Sequence, residues 1–171
     1  MHTDVESSAD FRARHLRVGW WSLLAFLLVG LGLESLHALK APLYLDASNE
    51  TRRLLWRLAH AHGALLSVVH VVWATAGAPL LAARPERLAW ASRCLIAGGL
   101  LLPLGFFLGG VRIHGGDPGI GVLLVPPGAL LVAAAILMTA GASTAAPASA
   151  PLVPPAGGIP AGPGGSAEDP R

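Results

Sequence analysis

From Val18 to Leu33 the chain carries no charged side chain, and the apolar run continues with interruptions to Leu39. As a helix, residues 18–39 cover about 33 Å at ~1.5 Å per residue, enough to cross a hydrocarbon core of ~30 Å. Three further runs, at 54–81, 88–111 and 119–140, are long enough to do the same. Backbone amides find no water inside a bilayer, so runs of this length form helices; a closed barrel would need short alternating strands. The first run is longer than the apolar stretch of a signal peptide and ends in Glu34 and His37 without a small-x-small cleavage site, so it reads as a retained helix.

Composition agrees. Hydrophobic residues make up 53% of the chain and charged residues 13%, half the ~25% usual in soluble domains. That excludes a soluble enzyme domain. A net charge of +2 without a basic stripe excludes a nucleic-acid partner. The single cysteine, Cys94, excludes an intrachain disulfide and reads as a small packing residue.

The expected architecture is all-α: a transmembrane four-helix bundle at 18–141 with up-down-up-down topology, because the connections at 41–52, 82–87 and 112–117 are short. A polar segment, 1–17, precedes it. The Ala/Pro/Gly-rich stretch 142–171, which holds half of the 14 prolines, reads as a disordered tail. The first side of the membrane then receives the N-terminus, the 82–87 loop and the C-terminus. It carries Arg12, Arg14, Arg17, Arg84, Arg87 and Arg93, against Lys40, Arg52, Arg53, Arg57 and Arg112 on the second side. This bias places both termini in the cytoplasm of a bacterial inner membrane. Trp20, Trp21, Trp73 and Trp90 fall towards the first side, Tyr44 and Trp56 towards the second, as interfacial belts should. The third span carries Gly105 and Gly109 at the spacing of a close helix contact, and Pro103 and the pair Pro126–Pro127 predict bends. In the 115–121 stretch the glycines predict a tight turn, Asp117 a helix cap and Pro118 a first helical position.

Ionisable groups inside spans are the informative positions, since each costs ~2.5–3.5 kcal/mol at mid-membrane on insertion scales. Glu34 and His37 share a helical face near the end of span one; Arg53, Arg57 and His60 share one at the start of span two. An antiparallel hairpin brings the two sets to similar depth, giving a polar cluster of Glu34, His37, Arg53, Arg57 and His60 with Glu34 as central acceptor. The same region offers imidazoles. His60 and His62 are two apart and point ~200° from each other, so they face different partners. With His37 or His114 opposite and His70 in reserve, they are candidate ligands for haem or a transition metal. The pair Glu34 and His37 is half of a di-iron carboxylate set, but the second pair is missing. No serine, histidine and acid arrangement points to a catalytic nucleophile.

The stretches Glu34–Lys40, Asn49–Arg53, Leu58–Gly63 and Leu102–Gly110 resemble those of small bacterial four-span membrane proteins of unknown function. That resemblance implies a topology over about 18–140 and no activity. Locally, His60-Ala61-His62 is similar to the haem-ligating helix of haem-copper oxidases, where two histidines two apart face two haems; that likeness implies ligand roles for His60 and His62. The chain is much shorter than that fold. Three function classes follow: a non-catalytic membrane component that uses the polar layer for packing or for docking a membrane-protein partner or second copy; a small haem- or metal-binding redox protein; and an oligomeric transporter or channel.

Overall fold

The computed structural model describes residues 8–45 and 50–144. Four helices long and apolar enough to cross a membrane make up the fold: α1 (Ser8–Ala38), Glu50–Leu81, α5 (Pro85–Val111) and Ile120–Thr144. The second comprises α3 (Glu50–Val72), a π-helical turn (Trp73–Gly77) and α4 (Ala78–Leu81); the fourth comprises a 3₁₀ turn (Ile120–Leu124) and α6 (Val125–Thr144). A short helix, α2 (Pro42–Leu45), follows the first span. The expected all-α four-helix bundle is thus the fold. Of the segments read from sequence, 1–7 and 145–171 lie outside the described residues.

The helices pack in chain order. Span two lies between spans one and three, and span four packs on span three. The middle spans are buried over 44% and 39% of their most apolar windows and the outer two over 11% each, so the outer helices turn most of their surface away from the protein. All four spans meet at the first side, in a core of Phe11, Trp73, Ala78, Leu81, Leu88, Ala91, Leu95, Ala135 and Ala142. Towards the second side α1 and α5 diverge and leave a cleft floored by α3.

Residues 8–17 are not a separate polar segment: helix α1 runs through them. Phe11, His15 and Gly19, four apart, are buried against the bundle while Asp10, Arg12 and Arg17 face out. The other end of α1 closes with Lys40 at a positive φ of 50°. Its amide bonds the His37 carbonyl at 3.1 Å and the Ala41 amide bonds the Leu36 carbonyl at 3.0 Å, the paired bonds of a Schellman cap, and Pro42 then ends the helix.

Close backbone approach holds spans three and four together. A Cβ on Gly98 would lie 2.7 Å from the Gly128 carbonyl oxygen, and one on Gly128 would lie 2.7 Å from the Leu102 nitrogen. Gly105 and Gly109 face Val125 and Val122 in the same seam, so the small-residue reading of 105 and 109 holds. Between α1 and α3 the glycines act as holes for rings: Phe26 fills the space over Gly63 and His60 the space over Gly30.

The prolines behave differently from the expectation of bends alone. Pro103 stays inside an unbroken, buried helix. Pro126 and Pro127 fall where the 3₁₀ turn passes into α6, at the change of helical hydrogen-bond pattern. The turn before it corrects another expectation. Asp117 does not cap span four; its backbone pairs with that of His114, at 3.0 and 3.3 Å, across Gly115 and Gly116. Those glycines take φ of 60° and 93°, the conformation a tight hairpin turn requires. The helical segment then starts after Gly119, with no side-chain cap, and Pro118 lies outside it.

Gly98→Val places branched carbons against the span-four backbone and is expected to lower stability by ~1–3 kcal/mol. Gly141→Ala, where a Cβ meets nothing within 4 Å, is expected to be neutral or to stabilise by up to ~1 kcal/mol. Thermal unfolding of both variants in detergent checks the contrast.

Candidate functional site

The most buried polar groups are not at the second side but near the first. His15 is fully buried, as is Ser92, and His70 is 3% exposed. Their positions follow from three buried stripes: Phe11, His15 and Gly19 on α1; Leu66, Ser67, His70 and Trp73 along span two; Leu88, Ala91, Ser92 and Leu95 on α5. Each polar member stands where an apolar side chain would otherwise point inward, so each must find a partner.

They find one another. His15 Nδ1 lies 2.7 Å from His70 Nδ1, and His15 Nε2 lies 2.9 Å from Ser92 Oγ. Arg14 Nη2 donates to Ser92 Oγ at 3.1 Å. Trp73 covers the node, its ring 4.3 Å from that of His15, and its indole N–H donates to Thr139 Oγ1 at 2.9 Å. One hydrogen-bonded chain therefore joins spans one, two and three, and Trp73 extends the connection to span four.

Proton positions follow from satisfying this network. Two Nδ1 atoms at 2.7 Å share one proton, so at least one ring is neutral. The Ser92 oxygen accepts from Arg14, and its own proton has one acceptor within reach among the described residues, His15 Nε2. His15 Nε2 is therefore bare and its Nδ1 carries the proton. His15 donates to His70 Nδ1, and His70 keeps its proton on Nε2. Donation runs in one direction, from Arg14 through Ser92 and His15 to His70.

The second-side residues singled out from sequence are brought together only in part. Glu34, Arg57 and His60 line a shallow recess of about 260 Å³ with Tyr44, so the hairpin does bring the two spans to one level. Glu34 itself is exposed and makes no ion pair within 4.0 Å among the described residues, which corrects its expected role as central acceptor. The arginines bond elsewhere: Arg53 to Glu50 at 3.3 Å, one turn back on its own helix, and Arg57 Nε to the Tyr44 hydroxyl at 3.3 Å. The cause is geometric. α2 inserts Tyr44 between the hairpin ends, and the exposed carboxylate keeps its freedom. His37 is exposed and does not line the recess.

The histidines of span two separate as their spacing requires. His60 Nδ1 bonds the Phe26 carbonyl of α1 at 2.7 Å. His62 turns to the other side, Nδ1 bonding the Leu58 carbonyl at 2.8 Å and the ring lying 4.9 Å from that of Phe106 on α5. His114 sits exposed in the turn before span four. No group of three or more His, Cys, Asp or Glu side chains is placed to hold a metal ion among the described residues.

Sequence reasoning reached His70 but missed His15, Ser92 and Trp73 as members of one site. The signal was present for two of them, in the four-residue spacing of Phe11, His15 and Gly19 and in the spacing of Leu88, Ser92 and Leu95. The surrounding charges at Asp10, Arg12 and Arg17 masked the first.

Comparison with protein-family models, with curated proteins and with solved structures gives no match. The functional reading therefore rests on the geometry.

Ser92→Ala leaves His15 Nε2 buried without its donor and is expected to destabilise by ~1–3 kcal/mol, while Glu34→Gln at an exposed, unpaired carboxylate is expected to fall within ~0.5 kcal/mol of the parent. Thermal melts of the two variants, read side by side, test the relocation of the polar centre from Glu34 to the His15 node.

Proposed function

We propose that this chain is a non-catalytic, multi-pass component of a bacterial inner membrane, with both termini cytoplasmic. The observation that carries the reading is how the polar groups are used. Arg14, His15, His70 and Ser92 tie three spans together; Trp73 bonds Thr139 of span four; Ser67 donates to Ser22 across spans two and one at 2.8 Å; Trp56 Nε1 donates to the Phe107 carbonyl at 3.2 Å. In lipid such bonds, with close packing, are what hold helices together. The outer spans keep broad apolar faces for lipid. The recess of Glu34, Arg57 and His60 supports a docking role towards a membrane-protein partner or a second copy of the chain. The placement of the termini rests on the six-against-five distribution of basic residues. Kinship with the small four-span bacterial proteins of unknown function is part of this reading.

One observation favours a second reading, a small haem- or metal-binding redox protein. The Phe26 carbonyl fixes His60 through Nδ1, which leaves Nε2 open, the arrangement that orients an imidazole for a metal. Against it, His62 faces a different neighbour.

Visible spectra of the detergent-purified protein, oxidised and dithionite-reduced, together with elemental analysis, separate the two. The expected result is a folded, colourless, metal-free protein. A Soret band that His60→Ala or His62→Ala removes would overturn the component reading in favour of haem ligation.

A further inference from the structure

The His15 node ends at a cavity. Between α1, α3 and α5 lies a cleft of about 430 Å³ with His70 in its wall. The size falls within the ~300–1,000 Å³ of small-molecule sites. On α1 its lining runs from Val18 to Val29, which sets a length of ~16 Å along the helix. A volume of about 430 Å³ spread over that length makes the cleft an elongated slot, suited to a chain or to a flat ring entered edge-on. The slot is open along its side, where α1 and α5 diverge: Leu100, Leu104 and Val29 on its rim are 62%, 37% and 37% exposed. A ligand would therefore enter from the lipid.

The polar groups in this wall are few. Ser22 and Ser67 spend their hydroxyls on helix carbonyls and on each other. His70 differs. The residue is only 3% exposed, its Nδ1 is taken by His15, and its Nε2 has no partner among the described residues. That nitrogen faces Gly99, where an added Cβ would lie only 2.8 Å away. Glycine keeps the space beside it clear. Because donation runs from Ser92 through His15, Nε2 carries a proton and presents a donor to the slot. A bare nitrogen there would suit a metal or haem iron; a protonated one suits an oxygen acceptor.

We infer that the cleft binds a single-chain lipid whose carbonyl oxygen accepts a hydrogen bond from His70 Nε2, its tail lying along α1 and α5 towards Val29. Two sources share this chemistry, a fatty acyl ester and a quinone with an apolar tail. The inference stands apart from the proposed component role, since a structural subunit and a redox protein alike can hold such a lipid.

The test uses the full chain in vesicles of ether-linked phosphatidylcholine, which carries no ester carbonyl, with ¹⁵N-labelled histidine. Methyl palmitate, a decyl-substituted benzoquinone and hexadecane are titrated separately. Either carbonyl compound is expected to bind about 3–10-fold more tightly than hexadecane, the factor of one net hydrogen bond, and to shift the protonated Nε2 signal of His70. The tighter-binding of the two identifies the source. His70→Phe should erase the preference while hexadecane still binds, and Ile96→Trp, filling the slot, should weaken all three. Equal binding of carbonyl and hydrocarbon compounds by the parent protein overturns the inference, and so does a bare Nε2 on His70. The parent comparison decides even if a variant fails to fold. Unchanged binding in Ile96→Trp would place the ligand elsewhere and also overturn it.

Discussion

The hydrogen bond between His15 and His70 is the interaction on which this arrangement of helices depends. Apolar side chains gain little by leaving lipid for a neighbouring helix, so spans need contacts that lipid cannot supply. Two imidazoles at 2.7 Å, with Ser92 and Arg14 behind them, supply such a contact at the level where the first three spans converge. Removing one partner would leave the others buried and unpaired, which costs more than the bond itself contributes. The node thus acts as a lock more than as a weld: its strength lies in the penalty for any register that separates its members.

The glycine seam between spans three and four answers the same need by a different route. There is little polar chemistry there; backbones approach until a methyl group would collide with a carbonyl. Contact area then replaces hydrogen bonding, through many weak dispersion contacts. The contrast explains the shape of the molecule. Spans three and four run together over a long stretch, while spans one and three, joined through a few atoms at one end, part at the other and open the cleft.

The four spans were legible because a bilayer leaves the backbone no alternative to helix, and the run from Val18 to Leu33 already imposes that choice. The opposite orientation of His60 and His62 was legible too, because two residues on a helix subtend a fixed angle. What escaped was the meeting of side chains from different helices. Arg14, His15 and Arg17 look alike along the sequence as a polar leader, yet His15 points inward and Arg17 outward. Glu34 looked like a buried acid needing a cation, yet α2 brings Tyr44 to Arg57 instead. Partner choice depends on crossing angle and insertion of a short helix, neither of which a single sequence states. The turn at 114–117 shows the same limit at shorter range: its glycines were readable, and the backbone pairing that diverts Asp117 from capping was not.

The widened turn at Trp73–Gly77, where the Ala78 amide reaches back five residues to the Trp73 carbonyl, has a consequence for the second span as a whole. Along a uniform α-helix, side chains eight residues apart point roughly 80° away from each other. Trp73 and Leu81 are eight apart, and both lie in the same core. The surplus residue in the turn supplies the missing rotation, dialling the last two turns of the span back towards the protein just before Pro79, whose ring tolerates the looser backbone. With regular pitch Leu81 would sit about 80° round the helix from Trp73 instead of sharing its side of the core.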